Sequence, residues 1–526
     1  MAQLICRLPS DHLPPLEQAR AAGISGWLVE VVVQPSGLLA LNTPVSWLNA
    51  PDQTLPFCLE WQTPQPLTPG QETRAAKQLK PWLAHPHHLR WRGQTPLWIQ
   101  SPEQLSHLQL ASRRLLLLLG AQAALWGGGS LGQQLDGRYE RPERDLRCRP
   151  VNGLQRNYDS FLYHAHHRLT PTAKTANGAA VVIPTVLPLN CEQEALYSNA
   201  GAASYREWLA QAQAWADLWH GQGDEALVLV DQWPGHHRWF CPASPATPQL
   251  ETVQAAPRPS GHSTGWGAID PTQPALLVHG YHLDLLDDLL GELLLGLNQQ
   301  QQPVPSLYVS TPEAQRQAVE ALLKGQGWPS GEIVGVANRG RDVAPFVGEL
   351  LPRALAQGHP WIIKLHTKRS SHLANGRAWG NHLQQQLATA EALHTLGCCF
   401  AEQPQLGLVA PAGTLLPSSI SLHHNASHLQ QLLPRLGISG RWLLQQSFVA
   451  GSMFAARPEA LAPLCQLQLP LDGFEPEQQQ RDGTLAHALE RLMAAVAIRR
   501  GWQVQERTGS CGGVPHFGHG WAAPLP

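Results

Sequence analysis

A chain of 526 residues has room for two to four domains with sizeable cores. Charged residues make up 14% of it and the formal net charge is -2, which excludes a general nucleic-acid binder, since such a protein carries a basic surplus. The most apolar run, Leu115 to Trp126, is too short and too broken by glycine to cross a bilayer, and the first residues lack a basic segment leading into an apolar one. The expectation is a cytoplasmic protein with at most peripheral contact with the inner face of the cell membrane. The 9 cysteines are scattered with no Cys-x-x-Cys pair, and read as reduced thiols without a zinc site.

Short apolar runs in the first half predict strands at Leu4 to Leu8, Gly26 to Val33, Leu55 to Trp61, Thr95 to Gln100, Leu115 to Trp126, Asp159 to His166, Ala179 to Leu187 and Ala226 to Trp233. Most are separated by enough chain for a helix. This predicts an α/β domain over residues 1–245, a degenerate (β/α)-barrel-like one, although an open α/β sheet would give a similar string.

Four pieces carry a family resemblance: Gln18 to Trp27, Pro56-Phe57-Cys58-Leu59-Glu60-Trp61, Arg92 to Ile99, and Leu227 to Trp233. In order and spacing this half is similar to the WbsX-type domain of polysaccharide biosynthesis, which implies a barrel related to glycan-processing enzymes. Members of that family carry carboxylates after the second and last of these pieces. Here those places read Trp61-Gln62-Thr63-Pro64 and Trp233-Pro234-Gly235-His236-His237. Glycoside chemistry needs paired carboxylates, so the resemblance implies an inactive domain, a glycan-binding or docking module. Glu30, Glu60 and Asp231 could stand in as acids, or be ordinary buried polar residues. Trp61, Trp98, Trp233 and Trp239 could stack on sugars, or be core.

Residues 246–274 are rich in Pro, Ser, Thr and Gly without hydrophobic period and read as a linker. The stretch Gly261-His262-Ser263-Thr264-Gly265 matches the G-x-S-x-G pattern, but neither the entering strand nor the leaving helix that a nucleophile elbow requires is visible.

From residue 275 to 526 the α/β rhythm restarts: strand Ala275 to Tyr281, helix Asp284 to Asn298, strand Ser306 to Ser310, helix Pro312 to Gly325, strand Glu332 to Ala337, helix Val343 to Gln357, strand Trp361 to Leu365 and strand Leu406 to Ala410. Such a series predicts a Rossmann-like, doubly wound sheet. Two polar clusters, Asn338-Arg339-Gly340-Arg341-Asp342 and Lys364-Leu365-His366-Thr367-Lys368-Arg369, then fall at the carboxyl ends of strands, where open α/β sheets bind ligands. Many cations and a single carboxylate at one rim suit a phosphate-bearing ligand.

These clusters, with Val278-His279, Tyr281, Tyr308 to Thr311, Pro345-Phe346, Trp379, Phe448 to Phe454 and Asp482 to Arg491, resemble the rhamnan synthesis F family over nearly the whole second half. The resemblance implies a glycosyltransferase that moves a sugar, rhamnose or a relative, from a nucleotide-diphosphate sugar to a polysaccharide or lipid-linked glycan. Donor contacts would come from Asn338, Arg339, Gly340, Arg341, Asp342, Lys364, His366, Thr367 and Lys368. The GT-A layout is favoured over GT-B. Where GT-A enzymes place an Asp-x-Asp metal site the chain has Lys364-Leu365-His366-Thr367-Lys368, so fixed positive charge in place of a cofactor metal is expected.

Gly451 and Ser452 would border the acceptor, together with Glu490 and Arg491. A base toward the acceptor hydroxyl is needed, and Asp482, Glu475 and His487 are its candidates, against the plainer reading that Asp482 caps the following helix. His487, Glu490 and Arg491 share one helix face by spacing. The rival readings are a non-catalytic glycan-binding or scaffold protein of a polysaccharide-assembly complex, and glycoside hydrolysis by the first domain.

Overall fold

The structure is a computed structural model that describes residues 3–8, 15–41, 55–128, 135–139, 181–183, 185–186, 202–220, 227–230, 263–367, 376–419, 422–477 and 482–507. The chain divides into two compact units: Met1–Pro245 with Ser419–His423, and Ala246–Ser418 with His424–Pro526.

The first unit is built on β1 (Gln3–Arg7), β2 (Ile24–Val33), β3 (Leu39–Leu41), β4 (Phe57–Gln62), β5 (Thr95–Ile99), β6 (Ala123–Gly128), β7 (Gly137–Tyr139), β8 (Val181–Ile183), β9 (Thr185–Val186) and β10 (Leu227–Val230). Their order is β8-β7-β6-β5-β4-β2-β1-β10-β9, parallel throughout, with β3 folded back antiparallel on β2. The two ends of the sheet are thus β8, paired with β7, and β9, paired with β10, which are near neighbours in the chain. That is a barrel-type arrangement. Ile5, Leu28, Cys58, Trp98, Ala124, Trp126, Leu227 and Leu229 share one buried cluster.

Three expectations for this unit change. The run from Leu115 is the end of a helix, Leu108–Leu119, stopped at Gly120 with φ 113°; the strand begins at Ala123. Consecutive leucines favour helix where no β-branched residue interrupts them. Trp61 and Trp98 are fully buried and serve the core, not an open stacking platform. Ser263–Trp266, inside the expected linker, forms β11 as an antiparallel edge strand on β14, because Trp266 can cover Gly331 there and donate to the Trp328 carbonyl at 2.8 Å. A strand running through the G-x-S-x-G residues rules out an elbow there. The expected strand Asp159 to His166, and Asp231, Trp233 and Trp239, lie outside the described residues.

The second unit continues with β12 (Ala275–His279), β13 (Ser306–Pro312), β14 (Gly331–Val336), β15 (Ile362–His366), β16 (Leu406–Ala410), β17 (Leu415–Pro417), β18 (Ser447–Val449), β19 (Phe454–Ala456) and β20 (Gln503–Glu506). Its main sheet runs β11-β14-β13-β12-β15-β19-β16-β20. The pairs β12 with β13, β13 with β14 and β12 with β15 are parallel; β19 runs antiparallel between β15 and β16. β17 and β18 form a separate antiparallel pair. The parallel strands β12, β13, β14 and β15 are buried over nearly their whole length, as strands covered on both faces are. Leu286, Leu290, Leu293 and Leu297 of the helix Leu283–Gln299 recur at helical spacing and pack in the same core as Leu276, Val278 and Leu365.

From β12 the chain winds outward through β13 to β14, then returns to the other side of β12 as β15. The reversal lies between β12 and β15, and an open sheet has its ligand crevice beyond the carboxyl ends of the strands at such a point.

Candidate functional site

His279 and His366 end the two strands on either side of the reversal and stand directly opposite one another in register. After β14 the chain turns through Gly340 (φ 63°) and Arg341 (φ 56°) to Asp342, which leads into a helix over 343–357. Gly340 is required: a Cβ there would lie 2.3 Å from that of Ala344 and 2.6 Å from the Phe474 ring. That helix widens into a π turn at Phe346–Leu350, a feature frequent near functional sites. A second left-handed pair, Gly451 (φ 85°) and Ser452 (φ 51°), lies between β18 and β19.

The two corners meet at Asp342. Its Oδ2 accepts from Ser452 Oγ at 2.6 Å and from Lys364 Nζ, and stands 3.3 Å from His366 Nδ1, at ion-pair distance. Lys364 Nζ also donates to the Ser452 carbonyl at 2.8 Å and to Ser452 Oγ at 3.2 Å. Burial would raise the Asp342 pKa, but the charges of His366 and Lys364 and the hydrogen bonds from Lys364 and Ser452 outweigh it and hold the carboxyl well below the usual range. Burial pushes His279 down to about 4, with Asp342 pulling upward and Lys364 downward, so its ring is neutral; its Nδ1 pairs with Ser310 Oγ at 3.0 Å.

The cations are therefore less open than a phosphate rim suggests. Lys364 is 1% exposed and committed to Asp342 and Ser452. Arg341 pairs with Glu477 at 3.1 Å and approaches His487 Nε2 at 2.8 Å. Thr367 Oγ1 accepts from the backbone N–H groups of Tyr281 and His282, both at 2.9 Å, and so anchors the turn after β12. Arg339 is different: it donates to the carbonyls of Phe474 at 2.9 Å and Asp472 at 3.3 Å, and no carboxylate among the described residues neutralises it. Asn338 beside it is exposed. Lys368 and Arg369 lie outside the described residues.

The three expected bases stand in a second group on the far side of Arg341. Asp482 accepts from Asn425 Nδ2 at 2.8 Å and from the Gly483 N–H at 2.9 Å, and pairs with Arg491 at 3.3 Å. Burial would raise its pKa, but the Arg491 charge leads the groups that hold it well below the usual range. Glu475 accepts from the Leu485 N–H at 3.0 Å and pairs with His428 at 3.1 Å, which places its carboxylate at the positive end of the helix Leu485–Arg499. Burial raises the Glu475 pKa less than His428 and the helix end lower it. Since an arginine can only donate, His487 Nε2 accepts from Arg341; its Nδ1 lies 2.7 Å from Thr484 Oγ1 and accepts from the Thr484 N–H at 3.3 Å, closing the capping box of the helix Leu485–Arg499. All three groups thus clamp the loop and the helix start.

Of the expected acceptor residues, Glu490 accepts from the Gly451 N–H at 2.7 Å and Arg491 lies 4.9 Å from the Phe448 ring centre, so both brace the Gly451-Ser452 corner. Sequence reasoning missed His279 and Ser310 as site residues and Glu477, Asn425 and His428 as partners. Only His279 left a signal, a polar residue closing an apolar strand as His366 does. Among the described residues no three or more His, Cys, Asp or Glu side chains are grouped to hold a metal ion. The end of β15 offers an amine and an imidazole where a divalent cation would need carboxylates; this donor set does not fit one.

In the first unit Glu30 and Glu60 face each other in register on β2 and β4, and Arg7 binds both, donating to Glu30 at 2.8 Å and to both oxygens of Glu60.

The chain is 30% identical over 326 residues to two curated relatives from Xanthomonas campestris pv. campestris, strains B100 and ATCC 33913, each named "Uncharacterized protein WxcX". The match takes in 59% of this chain and 43% of the relatives, so the chain spans less than half their length. Residues 262–502, which contain both left-handed corners and every group around Asp342 and Asp482, match the family model described as Rhamnan synthesis protein F.

Proposed function

We propose that the second unit is a glycosyltransferase of polysaccharide synthesis that transfers rhamnose or a related sugar from a nucleoside diphosphate sugar. The observation that carries this reading is the convergence of the Asn338–Asp342 and Lys364–His366 segments on one carboxylate beside the sheet reversal. The match of residues 262–502 to the rhamnan synthesis F family model supports it. In this reading the diphosphate lies against Arg339 and the rim of β12 and β15. Transfer develops negative charge on the departing diphosphate, and a guanidinium without a carboxylate partner is suited to receive it. Lys364 sets the ionised state and position of Asp342 and does not itself grip phosphate. No divalent cation takes part in a step.

A single α/β sheet with its own crevice is what a GT-A arrangement requires, and this favours that layout over the two-domain GT-B one. The acceptor is a growing polysaccharide or lipid-linked glycan. In the first unit Glu30 and Glu60 are both bound to Arg7, which suits a glycan-binding or docking module better than a hydrolase, whose acid must deliver a proton to the leaving group.

Calorimetric titration with UDP, GDP and dTDP tests the reading. One of them should bind, and Arg339→Ala should weaken binding on the order of tenfold or more. Binding of oligosaccharide with no nucleotide affinity would replace the transferase by a scaffold.

A further inference from the structure

We propose that Tyr281 is the platform on which the nucleobase of the donor stacks. This rests on the transferase reading above and supplies what that reading lacks, a residue for the base. The indoles that the sequence offered as stacking surfaces, Trp61 and Trp98, are fully buried. Of the large hydrophobic side chains that stand exposed among the described residues, four are leucines and the fifth is Tyr281, 39% exposed.

Its place in the sheet suits a nucleotide. Tyr281 lies two residues beyond β12, at the carboxyl end of the strand from which the sheet reverses. β14, which leads to Arg339, is two strands away. At about 4.8 Å per strand the two chain segments are roughly 10 Å apart. A ribose and its 5′ carbon separate a base from its diphosphate by a comparable span, so one ligand reaches both side chains.

The backbone under the ring is fixed from both flanks. On the β13 side the Gly280 N–H donates to the Ser310 carbonyl at 2.8 Å, and the Gly280 carbonyl accepts from Thr311 Oγ1 at 2.7 Å. On the β15 side Thr367 Oγ1 accepts from the N–H groups of Tyr281 and His282, and the Thr367 N–H donates to the His279 carbonyl at 3.0 Å. The His282 ring meets the tyrosine at 87° with centres 5.1 Å apart, and a neighbour in that T-shaped arrangement covers at most one face of it. A tyrosine has only two side-chain torsions to settle, and a turn already pinned loses little freedom when a base arrives. Every base has a π face, so this contact adds affinity without choosing among bases.

The full chain, Tyr281→Leu and Tyr281→Phe are titrated with UDP, GDP and dTDP. For the nucleotide that binds, Tyr281→Leu should weaken affinity roughly 5- to 150-fold, and Tyr281→Phe should stay within about threefold of the parent. The unfolding midpoint of Tyr281→Leu should lie within about 2 °C of the parent, since the side chain is exposed. Proton NMR of the same nucleotide gives a second readout: the base protons should move upfield on the parent through the ring current of the tyrosine, and that shift should be lost with Tyr281→Leu. Parent-like affinity of Tyr281→Leu, or an upfield shift that survives in it, overturns the proposal and leaves the transferase standing. Equal weakening by Tyr281→Phe and Tyr281→Leu also overturns it, because the hydroxyl and not the ring would then make the contact. If the parent binds no nucleotide, the transferase reading fails and the proposal with it.

Discussion

Ser452 donates a 2.6 Å hydrogen bond to Asp342 across 110 positions of the chain; Ser452 is itself left-handed, and Asp342 directly follows the left-handed Arg341. A non-glycine residue in that conformation costs on the order of 1 kcal/mol, and it persists only where the surroundings dictate it. Here the surroundings are Lys364, which holds both partners, and Glu490, which holds the Gly451 N–H.

Removing Asp342 should therefore destabilise the second unit more than losing a surface ion pair. Asp342→Ala strands the Lys364 ammonium in the core, a loss of about 3–5 kcal/mol, whereas the double variant with Lys364→Met removes both charges and should recover much of it. Urea unfolding of the single and double variants measures the difference. Equal destabilisation by both would show that the pair is not coupled.

Gly340→Ala should cost about 2 kcal/mol or more, because the new Cβ meets both Ala344 and Phe474 in addition to the strain of positive φ. Gly358→Ala is the control: its φ is 78° but its Cβ would meet nothing within 4 Å, so only the backbone strain, about 1 kcal/mol, remains. Unfolding midpoints of the two variants should differ in that order.

Asp482 gives the second unit an acid-sensitive stability. Burial opposes ionisation, but Arg491 and the surrounding donors depress the folded pKa below its unfolded value. The stabilisation is thus complete above the unfolded pKa of about 3.9 and disappears as pH falls through the folded one. Asp482→Asn should be markedly less stable than the parent at pH 7, with the gap narrowing at pH 3. A gap that widens on acidification would contradict the assignment of charge.

The parallel strands were legible because a strand covered on both faces is mostly apolar, as in Ala275–His279, and in Ile362–His366 apart from Lys364 and the closing histidine. The antiparallel strand Phe454–Ala456 was not, since three residues between a corner and a helix carry no period. Strand Gln503–Glu506 is polar and half-exposed, and only its pairing with Leu406–Ala410 reveals it. At the site, strand-end logic brings Asp342 beside Lys364 and His366. It does not reveal that Arg341 is taken by Glu477, 136 positions on, or that Arg339 reaches the Phe474 carbonyl, 135 positions on. Spacing identifies which charges share an edge, and the loop that neutralises them is visible only once the chain is folded.

Transfer in excess EDTA should proceed at the untreated rate, because the end of β15 presents Lys364 and His366 where a divalent ion would need carboxylates. Loss of activity that manganese or magnesium restores would return a metal to the mechanism.

The most direct measurement is a crystal structure of the full chain soaked with the nucleoside diphosphate sugar it binds. The diphosphate should lie beyond the carboxyl ends of β12 and β15 within hydrogen-bond reach of Arg339. A nucleotide bound in the first unit, or away from this reversal crevice, would contradict the account.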